Sequence, residues 1–368
     1  MDKKLKLGII GCGGIAFSKH LPAMKANEDL CEIVAFCDIV RERAEDAAKR
    51  YGTADVKVFE DYHELLADPE VEVVHVLTPN VSHCPITVAA FEAGKHVYCE
   101  KPMAHTTADA EKMIAAWKKS GKQFTIGYQN RFRVDVQNLY KACQKGELGD
   151  IYSAKAHALR RRGVPTWGVF PDKSQQGGGP LIDIGTHALD ITLWCMDNYD
   201  VESVTGSVFY KLGNLEQATE GNVWGPWNPK TFEVEDSAMG FIKMKNGAAI
   251  VLEASWALNI LESREASTTL CGTLAGAEIR SGMGYKNDEL IYNRGRNGQL
   301  MEEHFSQGGG AAFFGGITHN AANDDNRQWL EAIKNNTEPL VKPEQALTVT
   351  KILEAIYRSA EENREIRF

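Results

Sequence analysis

No stretch of this sequence approaches the roughly 20 consecutive apolar residues that a membrane-crossing helix requires. Basic charge is also scarce: 41 Lys and Arg stand against 50 Asp and Glu, a formal charge of -9. That sign argues against nucleic acid and anionic membrane surfaces, which demand a basic face, and leaves a small molecule as the expected partner. Cysteine occurs eight times, at 12, 31, 37, 84, 99, 143, 195 and 271, yet never as C-x-x-C and mostly inside apolar runs. This pattern argues against a disulfide framework and fits buried thiols in a reducing compartment, so a cytoplasmic location is expected. There is no internal repeat and no low-complexity tail. The stretch from Met1 to Gly14 has only a short apolar run entering a Gly-rich turn, which reads as a first strand and not as a signal peptide.

What the chain does contain is apolar material for two cores. Its 368 residues, 43% of them apolar, exceed the roughly 250 to 300 residues at which a single core stops growing. Up to about residue 125, short apolar runs alternate with helical stretches. Leu5–Ile10, Glu32–Cys37, Val73–Leu77, His96–Cys99 and Phe124–Gly127 read as strands. Arg41–Tyr51, Pro85–Ala93 and Ala108–Ser120 read as helices, each followed by a Gly stop. Alternation of this kind predicts a parallel sheet with right-handed crossovers. After residue 150, strand-like runs follow one another: Ile151–Leu159, Val201–Tyr210, Ser237–Met244, Ala248–Leu258, Ser267–Cys271 and Glu289–Tyr292. Lys245-Asn246-Gly247 is a hairpin turn between two of them. The fold expected is an N-terminal α/β Rossmann domain (residues 1–127), then a C-terminal α+β domain (residues 128–368) with an open-faced, mostly antiparallel sheet. Two helices, about Asn323–Lys334 and Pro343–Asn363, close the chain. An open sheet face needs a cover, so a homodimer or homotetramer is expected.

Gly11-Cys12-Gly13-Gly14-Ile15-Ala16 is a G-x-G-x-x-A string placed after a strand and before a helix. Gly11 permits the tight turn, Gly13 lets the backbone approach a pyrophosphate, and Ala16 allows close helix packing. Asp38 ends the second strand 22 residues after Ala16. A carboxylate there can accept hydrogen bonds from the ribose hydroxyls and would repel a 2′-phosphate, which favours NAD over NADP. Thr78 and Asn80 lie at the carboxyl edge of the sheet, where a ligand binds, and are equally placed to cap a helix beginning near Pro85. His83 in the same loop is either a cofactor contact or an ordinary surface histidine.

Glu100-Lys101-Pro102 follows the strand His96–Cys99, again at the carboxyl edge. The proline keeps Lys101 extended, where its amine can orient or deprotonate a substrate hydroxyl. A second constellation runs from Gly177 to Asp190. If helical from Asp183 onward, it sets Asp183, His187 and Asp190 on one face, and the triple glycine 177–179 lets backbone approach a ligand. Histidine suits proton exchange at neutral pH. The same Asp and His could ligate zinc, but no third or fourth ligand is evident and no metal is expected; simple capping and pairing would also account for them. Arg160, Arg161, Arg162 and Trp167, with Trp224, Trp227, Phe313 and Phe314 further on, offer donors and flat apolar faces for a polyhydroxylated ring or, equally, for a subunit contact.

With these motifs in hand, the chain resembles the glucose-fructose oxidoreductase / inositol 2-dehydrogenase family, Gfo/Idh/MocA. The likeness also takes in Gly127-Tyr128-Gln129-Asn130-Arg131-Phe132 and loosens after Cys271. It implies that Lys101, Asp183 and His187 form the catalytic group, with either Lys101 or His187 exchanging the proton. It places Gly11, Gly13, Gly14, Ile15, Asp38, Thr78, Asn80, His83, Glu100, Lys101 and Asn130 on the NAD side. Tyr128, Arg161 and Trp167 join Lys101, Asp183 and His187 around a carbohydrate or polyol. The activity implied is an NAD-dependent dehydrogenase acting on a ring hydroxyl of a sugar, glycoside or inositol. A glycosidase working through transient oxidation and a non-catalytic NAD sensor are the alternatives.

Overall fold

The computed structural model describes residues 3–282, 289–305 and 320–368. Phe313 and Phe314 lie outside the described residues. Contacts divide the chain into two compact units, residues 1–129 with 320–350 and residues 130–319 with 351–368.

In the first unit, strands and helices alternate as β1 (Leu5–Ile10), α1 (Leu21–Ala26), β2 (Cys31–Cys37), α2 (Arg41–Tyr51), β3 (Gly52–Phe59), α3 (Tyr62–Ala67), β4 (Val73–Val76), α4 (Asn80–Glu92), β5 (His96–Cys99), α5 (Thr107–Ser120) and β6 (Phe124–Ile126). The sheet is parallel and ordered β3-β2-β1-β4-β5-β6, the doubly wound order whose switch point falls between β1 and β4. Helix signals act as the sequence suggests. Thr106 caps α5 by accepting from the Asp109 amide, and Gly121 stops it in the left-handed region. On α2 the buried residues are Ala44, Ala47 and Ala48, one narrow stripe at helical spacing. Two expectations are corrected. Gly52 does not simply end α2 but opens edge strand β3, whose polar, half-exposed residues carry little apolar signal. Helix α4 begins at Asn80 and not near Pro85, which is its sixth residue and forgoes the bond that an N–H there would donate to the Val81 carbonyl. The core below the sheet gathers Leu7, Ile9, Phe36, Val73, Leu77 and Tyr98 with Trp329 and Leu330 from the late helix.

The second unit holds α6 (Val134–Gln144), β7 (Ile151–Leu159), α7 (Lys173–Gln176), α8 (Thr186–Met196), β8 (Val201–Phe209), β9 (Ser237–Met244), β10 (Ala249–Ser255), β11 (Arg264–Gly272), β12 (Ala275–Arg280), β13 (Glu289–Arg296) and β14 (Gln299–Phe305). Helix α9 (Ala321–Asn335) belongs to the first unit, α10 (Pro343–Glu362) is divided between the two at residue 350, and β15 (Ile366–Arg367) ends the chain in the second. The nine-stranded sheet runs β14-β13-β12-β11-β7-β10-β9-β8-β15 and is antiparallel except where β7 meets β10 in parallel. The expected hairpin is present: Gly247, at φ +89°, turns β9 into β10. On β9 and β10, Ala238, Gly240, Ile242, Ile250, Leu252 and Ala254 face the helices, whereas Met239, Phe241 and Val251 on the opposite face are 44%, 43% and 36% exposed. Gly206 and Gly240 are register partners, and a Cβ on either would run into Ile356 of α10. Those two glycines let α10 lie directly on the sheet. No helix among the described residues is long and apolar enough to cross a membrane.

Candidate active site

The glycine turn after β1 is held from behind. Both oxygens of Asp38, a buried residue, accept backbone amides: Cys12 N at 2.8 Å and Val40 N at 2.9 Å. Gly11 has φ +95°, and a Cβ there would stand 2.6 Å from the Leu77 carbonyl oxygen, so the turn itself demands this glycine. Gly13 and Gly14 differ, because a Cβ at either meets no described atom within 4 Å. Their small size is therefore not required by the protein's own packing, which fits backbone kept bare for a ligand. A π-helical turn, Ala16–His20, follows and leads into α1, with Ala16 buried and Ile15 exposed beside it.

At the carboxyl end of β4, Asn80 is a buried first residue of α4, and the Thr78 hydroxyl is buried without a hydrogen-bond partner among the described residues. A buried hydroxyl lacking a partner is unfavourable until something supplies one. These features together suit a dinucleotide lying over the β1 to β4 switch point. His83 has another occupation: Nδ1 lies 2.8 Å from the Pro102 carbonyl and Nε2 2.9 Å from that of Thr78. Both ring nitrogens meet backbone, so the ring braces the two loops to each other and has no nitrogen directed at a cofactor.

Glu100 is the centre of a buried network. Its Oε1 accepts from Lys19 Nζ and His20 Nε2, each at 2.7 Å, and its Oε2 accepts the Lys101 amide at 2.9 Å. Burial alone would raise its pKa, but the Lys19 ammonium and the His20 hydrogen bond hold the carboxyl well below its ordinary value. Burial and the nearby Lys19 push His20 down to about 4, so its ring is neutral and donates one hydrogen bond. A Cβ on Gly127 would crowd both Tyr98 Oη and Glu100 Oε1. Through Glu100 the helix after the glycine turn is tied to the loop that carries Lys101. Tyr98 Oη donates to Asp325 Oδ2 at 2.6 Å, and burial pushes Asp325 up to about 6. Tyr128, also in this unit, is fully buried.

In the second unit, the triple glycine has a different purpose from the one its sequence suggests. Gly177 ends α7 in the left-handed region, but a Cβ on Gly178 would strike Tyr357 Oη at 2.1 Å and one on Gly179 the Glu235 carbonyl oxygen at 2.3 Å. The segment is bare so that the protein's own groups can approach. Glu235, 1% exposed, accepts the Gly179 amide (2.9 Å), the Leu181 amide (3.1 Å) and the Tyr357 hydroxyl (2.8 Å). It thereby clamps the start of a second π-helical turn, Leu181–Gly185, which presents Asp183. π-turns of this kind gather at functional positions.

Asp183 and His187 are half-buried, on either side of the junction where the π-turn passes into α8. Trp256 Nε1 donates to Asp183 Oδ2 at 3.2 Å. Asp190 does not belong with them. It is buried and receives Arg131 Nε at 2.9 Å and Nη2 at 2.6 Å in a fork-to-fork pair whose side chains are 1% and 0% exposed. Its place in the shared helical face is corrected to a structural one. Asn130, half-buried, lies in the 3-10 turn Gln129–Phe132 beside this arginine. Of the three arginines after β7, Arg160 is committed to Glu265 (2.7 Å) and the Gly163 carbonyl, and Arg162 to Asn259 (2.7 Å) and the Arg161 carbonyl, while Arg161 is exposed. Trp167 is exposed and Trp227 is buried. Glu235, Tyr357, Trp256 and the Lys19–His20 pair escape sequence reasoning because each acts on a motif far away in the chain.

Comparison with known proteins matches residues 5–128 to an oxidoreductase family described by its NAD-binding Rossmann fold, and residues 141–368 to the C-terminal alpha/beta domain of the same oxidoreductases. A D-glucoside 3-dehydrogenase of Escherichia coli is 36% identical over 97% of this chain and 95% of its own length. An inositol 2-dehydrogenase of Salmonella typhimurium is 34% identical over 54% of this chain and 56% of its own. Among solved structures, an aldose-aldose oxidoreductase from Caulobacter crescentus in complex with glycerol aligns over the whole of both chains, with TM-score 0.81 and 25% identity. A levoglucosan dehydrogenase complexed with NADH and levoglucosan shares the fold over 99% of both chains, with TM-score 0.83 and 22% identity.

Proposed function

The chain belongs to the Gfo/Idh/MocA family of NAD-binding oxidoreductases, and from that premise we propose that it oxidises a ring hydroxyl of a glycoside or reduces the matching ketone. Sugars and inositols form the wider carbohydrate and polyol class. What carries this reading is the likeness to a D-glucoside 3-dehydrogenase over 97% of the chain, which embraces both Lys101 and the Asp183–His187 segment.

The residues assigned to holding NAD are the turn Gly11, Gly13, Gly14 and Ile15, then Asp38, Thr78, Asn80, Glu100, Lys101 and Asn130. Each Asp38 oxygen keeps a lone pair beyond its backbone amide, so ribose hydroxyls can still donate to it. Bound NAD supplies a nicotinamide carbon that takes up or returns a hydride. The chain's own residues do the rest. Lys101 Nζ and the His187 imidazole are the two groups able to hold the hydroxyl proton as it leaves, and Asp183, steadied by the Trp256 indole, orients the hydroxyl or its base. Glu100 fixes the Lys101 backbone. Arg161 and Trp167, both exposed, are the residues left to hold the substrate, whereas Tyr128 is fully buried, offers it no surface, and is corrected to a packing residue. A second copy of the chain covers the exposed Met239, Phe241 and Val251, and the eight free thiols suit the cytoplasm.

The test is incubation with NAD and a panel of glycosides, sugars and inositols, with NADH followed by absorbance and products by mass. Lys101→Ala and His187→Ala should each lower kcat by about 10²- to 10⁴-fold. Aglycone release without NADH would replace the dehydrogenase by a redox-cycling glycosidase, and bound NAD with no turnover of any compound would replace it by a sensor.

A further inference from the structure

Beside Asp183 the second unit continues into an aromatic wall that proton and hydride transfer do not require. Trp256, whose indole donates to Asp183, meets Phe170 edge to face with centroids 6.2 Å apart. Phe170 meets Trp167 at 6.0 Å, and Trp167 meets Trp224 at 4.9 Å with their planes at 89°. The inner end of this series is buried, with Trp256 at 0% exposure, whereas Trp167 and Trp224 at its outer end are 49% and 38% exposed. Two adjoining indoles left half in water forgo apolar burial that other residues at these positions would not need.

The pair is also held in place. The Arg160 guanidinium lies 5.2 Å from the Trp224 ring while its own donors bind Glu265 and the Gly163 carbonyl. Thr166 Oγ1 donates to the Trp224 carbonyl at 2.9 Å. Against Trp167 lies a cavity of 410 Å³, walled by Pro165, Pro171, Pro226 and Trp227, with Asp172 and Asn228 on its polar side. Flat apolar walls with a few polar groups at the rim suit a ring that presents C–H faces and edge hydroxyls, and the concave shape suits a small ligand better than a flat protein surface.

We propose that Trp167 and Trp224 form an aglycone subsite. The ring to be oxidised is held at Asp183, and a second ring, a sugar or an aryl group, lies in the cavity against Trp167, which Trp224 braces edge to face. The preferred substrate is therefore a two-ring glycoside and not a free monosaccharide. This rests on the glycoside-oxidising reading given above and goes beyond it by stating what the second half of the substrate is and which residues select it.

The experiment compares methyl and phenyl glucosides, in both anomers, with the NAD-loaded protein, by steady-state NADH formation and by titration calorimetry. The wild type should favour the phenyl glucoside in kcat/KM. Trp167→Ala and Trp224→Ala should each lower that phenyl-over-methyl ratio by about tenfold, mainly through KM, and Trp167→Phe should restore most of it. A ratio unchanged within about twofold in both alanine variants, or no preference in the wild type, overturns the subsite. Absence of NADH with every glycoside overturns the oxidation reading instead. Calorimetry then decides the subsite alone: tighter phenyl binding lost in the variants sustains it, and equal binding ends it. Trp167→Phe, which keeps a flat ring, guards against a variant that merely fails to fold.

Discussion

Removing Arg131 should destabilise the second unit and leave the chemistry in place. Asp190 sits one turn after His187 and invites a catalytic role, yet its carboxylate takes two charge-assisted hydrogen bonds from Arg131 in a site from which water is excluded. Breaking such a buried pair from one side leaves an uncompensated charge and costs about 3–5 kcal/mol. At about 2–4 °C per kcal/mol for a domain of this size, Arg131→Met should lower Tm by roughly 6–20 °C. Burial already raises the Asp190 pKa despite the opposing pull of Arg131, so in Arg131→Met the carboxyl takes up a proton and the loss shrinks in acid. Asp190→Asn strands a guanidinium that cannot neutralise itself, and its cost should hold at every pH. The double variant Arg131→Met with Asp190→Leu replaces the pair by apolar groups and should return to within about 1 kcal/mol of the wild type. Denaturant unfolding of the wild type, Arg131→Met, Asp190→Leu and the double variant at two pH values closes the cycle, with Asp190→Asn measured beside it. Additive losses, with no coupling between the two positions, would refute a buried pair. A well-folded double variant whose kcat had collapsed by orders of magnitude would return Asp190 to the chemistry.

Two further outcomes follow from the first unit. Gly13→Ala should leave Tm unchanged without NAD, since its Cβ enters open space, but should weaken NAD binding by tenfold or more; Gly11→Ala should lose both, because its Cβ meets the Leu77 backbone at 2.6 Å. Melting curves beside NAD titrations separate the two, and equal behaviour would contradict the distinction. For Asp325, burial raises the pKa from 3.8 to about 6. A carboxyl raised on folding stabilises fully below its unfolded pKa, and that stability is lost as pH rises through the folded value. The shift is worth about 3 kcal/mol between about pH 4 and about pH 6. Asp325→Asn keeps an acceptor for Tyr98 and should flatten that part of the stability–pH curve, as measured by denaturant unfolding across this window.

Local order in the sequence determined the β-α alternation, the Gly-rich turn with Asp38 behind it, the Gly121 and Gly247 turns, and the two motifs bearing Lys101 and Asp183. Each depends on residues within one or two elements, through apolar period, capping or positive φ. What the tertiary structure decided is which of those residues are accounted for by the protein itself. The bare backbone at 178–179 reads like a ligand cradle until Tyr357 and Glu235 arrive from far along the chain. Asp190 reads as sharing one helical face with Asp183 and His187 until Arg131 pairs with it, and His83 as either a cofactor contact or a surface histidine until two backbone carbonyls meet its ring. A polar edge strand such as β3 lacks apolar periodicity and becomes a strand only because β2 offers it a ladder. Sequence carries the chemistry a residue can perform, whereas the partner that uses up or frees that chemistry is supplied by chain packing over long separations, which no local pattern encodes.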